Sequence, residues 1–168
     1  MTAEYWIKHL QLSRHPEGGF FREVYRSQEQ IEAQALPPRF GGARSLATSI
    51  YFLITPEGFS ALHRLKADEL WHFYAGQTLE LHLILPDGSY RKLLLGSQPK
   101  TGATFQAVVP AACWFGARLA DPGPQAYALL GCTMAPGFDF ADFELGSREQ
   151  LLKQYPHHST LIRSLTRV

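Results

Sequence analysis

At 168 residues, with a net charge of +1 and 18% charged side chains, the chain is sized for one domain, and its low charge suits an extensive core plus a buried subunit interface. It carries no basic run and no acidic tail, which argues against nucleic-acid binding. No stretch approaches the ~18 apolar residues of a membrane span and the N-terminus lacks a signal peptide's apolar run, so a soluble cytoplasmic protein is expected, with Cys113 and Cys132 as small core residues in a reducing compartment.

Thr2 can cap a first helix with Glu4 in its first turn and Trp6 and Leu10 on one face. His15-Pro16-Glu17-Gly18-Gly19 ends it with a turn. From Phe20 to Arg26 the period becomes two, which sets Phe21, Glu23 and Tyr25 on one strand face and Phe20, Arg22, Val24 and Arg26 on the other. Residues 27–43 are rich in Gln, Pro and Gly and read as a long loop, of a length that is often functional or mobile.

Residues 45–54 form a β-rich run, and strands are expected at 59–65, 69–75, 78–85, 89–95, 104–109, 113–119 and 125–133. Pro86-Asp87-Gly88-Ser89 is a hairpin turn, and Asp121-Pro122-Gly123-Pro124 another break. Ser147-Arg148-Glu149-Gln150 is a capping box that opens a helix closed by Pro156, and Leu161, Ile162 and Leu165 suggest one more helical piece. His157 and His158 read as a solvated pair. Many short strands between turn signals predict an all-β antiparallel sandwich or barrel with short terminal helices. The expected layout is a single domain: 1–18 helix and turn, 19–134 barrel, 135–168 C-terminal loop and helices.

Chemistry concentrates between Gly58 and Gly76. His63 and Leu65 are two apart on a predicted strand and share a face; after a tight turn at residues 66–68, Glu69 begins the next strand and faces them. A satisfied buried pair is the plain alternative for His63 and Glu69, but a barrel of this size is either filled by side chains or holds one small ligand. Alternation places Glu69, Trp71 and Phe73 inward and His72 outward, unless a β-bulge rotates it. Trp114 and Phe115 offer aromatic surface or core packing, and Gln106 an inward or outward amide. Glu23 and Tyr25 would supply an acid and a phenol if their strand lines the cavity.

The stretches His15–Ser27, Ser49–Leu53, Phe59–Arg64, Asp68–Tyr74, Val109–Phe115 and Gly131–Phe140 together resemble the fifth cupin family, catalogued as a domain of unknown function. The resemblance implies a double-stranded β-helix, or jelly roll, forming a homodimer. The usual first cupin motif sets Gly, His-x-His, Glu and Gly at fixed spacing; here Gly58, His63, Glu69 and Gly76 fit, one residue short after Gly58, with Leu65 in place of the second histidine. In the second motif Gly102 and Pro110 keep the outline and Phe115 replaces the last histidine. Two of four usual metal ligands are therefore missing, so no metal cofactor is expected. A divalent ion at His63 and Glu69 would need a substitute ligand such as Glu23 or His72.

The chain is also distantly similar to the metal-free sugar-nucleotide 3,5-epimerases, which hold a histidine where Ala61-Leu62-His63 stands here. Glu69 departs from that pattern, because a carboxylate repels an enolate. No basic cluster for a pyrophosphate is evident, although Arg22, Arg26 and Arg64 could contribute. The expected function is small-molecule binding in the barrel and, if catalytic, isomerase- or epimerase-like proton transfer. His63 would be the base, Glu69 its orienting carboxylate raising the histidine's pKa, and Tyr25 or Tyr51 the acid. Trp71, Phe73 and Trp114 would stack on the ligand, with Glu23, Gln106 and His72 as further polar contacts. A non-catalytic sensor and a metal-dependent cupin with an altered ligand set are the alternatives.

Overall fold

The computed structural model describes residues 1–167. Helix α1 (Ala3–His9) is capped by the Thr2 hydroxyl, which accepts from the Tyr5 amide at 3.2 Å. Thirteen strands follow among the described residues: β1 (Ser13–Arg14), β2 (Phe20–Arg26), β3 (Gln30–Ile31), β4 (Arg44–Ser45), β5 (Thr48–Ile54), β6 (Ser60–Leu65), β7 (Glu69–Gly76), β8 (Leu79–Ile84), β9 (Tyr90–Leu95), β10 (Gln106–Val109), β11 (Trp114–Leu119), β12 (Ala128–Met134) and β13 (Phe143–Leu145). Helices α2 (Arg148–Gln154) and α3 (Ser159–Ser164) end the described chain.

Two antiparallel sheets stack face to face. One runs β1-β2-β5-β12-β7-β10 and the other β13-β6-β11-β8-β9, so consecutive strands repeatedly change sheet, as expected of a jelly roll. Inward positions of both sheets interdigitate in one apolar cluster that includes Phe52, Leu65, Trp71, Leu81 and Phe115. The Pro86–Ser89 turn closes the β8–β9 hairpin, with Gly88 at φ +81 and its amide donating to the Leu85 carbonyl. On the outer face of the second sheet, α2 and α3 bury Leu151, Ile162 and Leu165 against Leu62, Ile84 and Trp114.

Residues 27–43 are held in place. They contain the short β3 and two turns of 3-10 helix, and Phe40 is buried. Arg44 pins the segment by a bidentate pair with Asp142, both bonds 2.6 Å, and donates to the Phe40 carbonyl. His158, expected in solvent, is half-buried instead. Its Nε2 lies 2.8 Å from the Gly88 carbonyl, which couples the C-terminal helices to the β8–β9 turn.

Pairing of β2 with β5 shifts between Glu23 and Tyr25, so Val24 is an inserted bulge residue. Strict alternation ends there. Phe21 and Glu23 face the interior as expected, Tyr25 turns outward and is 55% exposed, and Arg26 points in.

Candidate functional site

Between the sheets lies a cavity of about 280 Å³, close to the lower end of the roughly 300–1,000 Å³ usual for small-molecule sites. Strands β2, β5, β6, β7 and β12 form its walls, and the turn at residues 15–17 and the loop at 138–143 complete it. Six aromatic side chains line it (Phe21, Phe52, Trp71, Phe138, Phe140 and Phe143), with four carboxyl groups from Glu17, Glu23, Glu69 and Asp139.

His63 is buried in the wall with both ring nitrogens engaged. Nδ1 sits 2.7 Å from the Ala61 carbonyl and so carries a proton, while Nε2 is 3.1 Å from Glu17 Oε2. In a neutral imidazole Nε2 is then a bare acceptor, and the proton between the two groups belongs to Glu17. Burial favours that neutral arrangement, pushing His63 down to about 4 and Glu17 up from the usual carboxylate range. Glu17 Oε1 accepts from the Ser60 hydroxyl at 2.6 Å, and His15 Nδ1 lies 3.4 Å from Oε2. The His15 ring packs edge-on against Phe21 at 4.6 Å, and burial holds its pKa below the ordinary value.

Glu69 is the second buried acid. Its Oε2 accepts from the Trp71 indole N–H at 2.7 Å, and Oε1 has no partner among the described residues. Burial, then repulsion from Glu17, pushes its pKa up to about 8, so it is mainly a neutral, proton-carrying acid at pH 7. At the mouth Glu23 forms an ion pair with Arg26, Oε2 to Nη2 at 2.7 Å.

Two expectations about this site are corrected. The carboxyl partner of His63 is Glu17, not Glu69, and burial lowers the histidine's pKa instead of a neighbour raising it. With neither nitrogen free, His63 is not placed to take a proton from a ligand directly.

His63, Glu69, Glu23 and Trp71 line the cavity; the remaining predicted residues do not. Tyr25 is turned out by the Val24 bulge. Tyr51 lies on the outer sheet face beside Tyr74, ring centroids 6.1 Å apart. Phe73 is buried in the core without reaching the cavity, and Trp114 sits under the C-terminal helices with Arg64 over its ring at 4.7 Å. His72 and Gln106 are register partners on the outer face, joined at 3.1 Å, and His72 also meets the Thr133 hydroxyl at 3.2 Å. His15 and Glu17 were missed. Their signal was two titratable residues around a proline, ahead of paired glycines, in a segment read as a helix stop and as part of the family resemblance, with no site role given to either residue.

That turn is fixed by close backbone approach. Glu17 O accepts from the Ala61 amide at 2.9 Å, and Gly18 adopts φ +114, where an added Cβ would come within 2.2 Å of the Phe59 carbonyl. Glycine there brings Glu17 against β6 and delivers its carboxyl to His63.

The metal that a cupin motif implies does not fit this donor set. Leu65 lines the cavity where a second imidazole would be, and the Phe115 ring packs 4.0 Å from the His63 ring. Among the described residues no group of three or more His, Cys, Asp or Glu side chains is arranged to hold a metal ion. Elemental analysis of protein purified without chelator or affinity tag is expected to give far less than one transition ion per chain; stoichiometric iron, manganese or nickel would contradict this reading.

A hypothetical protein from Leishmania major is similar over 100% of both chains, at 40% identity and TM-score 0.91. A crystal structure of a Shewanella oneidensis protein matches at 41% identity and TM-score 0.87, covering 99% of this chain and 98% of that one. An uncharacterized Saccharomyces cerevisiae protein is 30% identical over 156 residues, 88% of this chain and 76% of that protein. Oxalate decarboxylase of Bacillus subtilis shares the fold alone, at TM-score 0.54 and 13% identity over 90% of this chain and 36% of that one. Residues 4–146 match the family described as Cupin superfamily (DUF985). The chain belongs to that family, and its jelly roll is a cupin barrel.

Proposed function

We propose that this protein binds a small molecule inside its barrel, without a metal. One observation carries the reading: the interior is not filled with hydrocarbon, but keeps a cavity of about 280 Å³ with the buried acids Glu17 and Glu69 in its wall. Glu69 lines the cavity with Oε1 unpartnered among the described residues, and a ligand would supply that partner. Native mass spectrometry of gently purified protein is the test, with a small-molecule screen followed on the Trp71 indole resonance. A co-purifying molecule or a saturable shift is expected; a bare chain that no compound perturbs would sink the proposal.

Metal-independent proton transfer, isomerase fashion, is the second reading, favoured by two proton-carrying acids in one wall of which Glu17 has an acceptor for its proton, His63 Nε2 at 3.1 Å. Glu17 would take a proton from the bound molecule while passing its own to His63 Nε2, and Glu69 would return one. Deuterium uptake from D2O into the bound molecule, abolished in Glu69→Gln, supports turnover; binding without exchange leaves a sensor or carrier.

For the assembly we propose a homodimer through the outer face of the six-stranded sheet. Leu70, Tyr74 and Val108 share that face and are 40–51% exposed. Light scattering is expected to give twice the chain mass, and Val108→Glu a monomer. No described helix is long and apolar enough to cross a membrane; a cytoplasmic location is proposed on the two buried free cysteines.

A further inference from the structure

From the charge balance of the cavity we infer that its ligand is a compact organic cation, an amine carrying one positive charge on a small apolar or aromatic body. This rests on the cavity being a ligand site and adds the chemical class of the occupant.

Among the lining residues Arg26 is the sole cationic side chain, and its guanidinium is committed. Nε and Nη2 donate to Glu23 at 3.0 and 2.7 Å, and Nη1 donates to the Phe138 carbonyl at 3.0 Å. A carboxylate or phosphate on a ligand would find no free cationic side chain among the lining residues. Of the four lining carboxyl groups, Glu23 is committed to that cation and the buried Glu17 and Glu69 rest as neutral acids, so an arriving cation takes its counter-charge from Glu69 by releasing that group's proton. An ammonium group finds the reverse: Glu69 Oε1 lacks a partner in a side chain that is 8% exposed, and aromatic rings around it attract a cation through their π faces. The size of the cavity limits the occupant to about one ring or a short chain.

Binding such a cation must couple to a proton. The groups facing Glu69 are Glu17 and His15 from the 15–17 turn, His63 from β6 and Cys132 from β12. Arg167 stands behind the turn, donating to the Glu17 carbonyl. Glu17 shares its proton with His63, and burial keeps the Cys132 thiol protonated. Glu69 is the group free to ionise when an ammonium arrives. Affinity for a cation therefore rises with pH up to about 8, by up to about tenfold per pH unit for one proton released. A neutral ligand that accepts from protonated Glu69 would show the opposite trend.

Benzylammonium, benzyl alcohol and benzoate present one ring with charges of opposite sign and none. By calorimetry at neutral pH, benzylammonium is expected to bind at least about tenfold more tightly than benzyl alcohol, with benzoate weakest. Glu69→Gln is expected to abolish the preference and its pH dependence while keeping alcohol binding. Tighter binding of the alcohol or benzoate, or benzylammonium affinity that falls as pH rises from 6 to 8, overturns the cation assignment and leaves the cavity reading standing. If none of the three binds, the cation assignment falls, while the cavity reading stands or falls separately on native mass spectrometry and the wider screen. The charge series needs only the wild-type chain, so it remains decisive if the variant fails to fold.

Discussion

Trp71→Ala is expected to cost about 3–5 kcal/mol of stability, the range for deleting a buried large aromatic. The side chain is 1% exposed and sits edge-on to Phe52 and Phe115, with ring centroids at 5.6 and 6.4 Å. Its removal merges the indole's volume with the existing cavity, so neighbours can collapse only partly. It also strips Glu69 of its one hydrogen bond from the protein. Trp71→Phe separates the two effects. A ring remains in the wall, so most stability is kept, but Glu69 loses the donor that favours its ionised form and its pKa moves further up. Urea unfolding measures the first effect and a carboxyl titration the second. A loss below about 1 kcal/mol for the alanine variant would mean that this wall does not carry the barrel core.

Stability is expected to fall between pH 6.5 and 8, opposite to the usual behaviour of salt-bridged carboxylates. Glu69 has its folded pKa raised from 4.5 to about 8. The unfolded chain therefore releases that proton first, and the contribution present below pH 4.5 is lost as pH rises towards 8. His63 acts in the other sense. Its folded pKa is lowered from 6.5 to about 4, so its contribution is complete above 6.5 and is lost as pH falls through 4. The two slopes oppose each other between 4.5 and 6.5, giving a plateau. Above 6.5 only the acid's slope remains, amounting to about 2 kcal/mol by pH 8 at 1.36 kcal/mol per unit. Glu17, also raised by burial, adds in the same direction as Glu69. Glu69→Gln should flatten the decline, so its stability relative to wild type grows over this window. Chemical unfolding at half-unit pH steps checks this; a wild type that gains stability from 6.5 to 8 would show that the acid ionises freely in the fold.

The barrel was legible because its strands obey simple rules. Residues 69–73 alternate cleanly, so Glu69 and Trp71 are assigned inward and His72 outward from period alone, and His72 lies on the outer face beside Gln106. The turn at Pro86–Ser89 carried its own chemistry, and Leu65 and Phe115 marked the missing imidazoles by motif spacing. Period-two reasoning failed at Val24, where one inserted residue reversed Tyr25 and Arg26, and no local signal in Phe20–Arg26 announces that bulge.

What the sequence hid was long-range. Glu17 and His63 are far apart in the chain, and their meeting depends on the Gly18 turn lying against β6. Glu69, on the strand after His63, looked like the natural partner because sequence proximity is visible and tertiary delivery is not. The His63 pKa followed the same error: a carboxylate was expected to raise it, whereas the depth of the cavity wall, 2% exposure, decides the direction. Trp114 was misplaced for a related reason. Its neighbour Phe115 faces in, so Trp114 faces out, where α2 and α3 bury it and make it look like an interior residue.

A carbon-13 NMR titration of the glutamate carboxyl groups tests the account most directly, with the Glu69 resonance assigned by its disappearance in Glu69→Gln. One buried carboxyl is expected to hold its proton through neutrality and titrate at about 8. If every glutamate resonance instead titrated below about 5, in the ordinary range for exposed side chains, the barrel would hold no proton-carrying acid and the proposed site chemistry would be wrong.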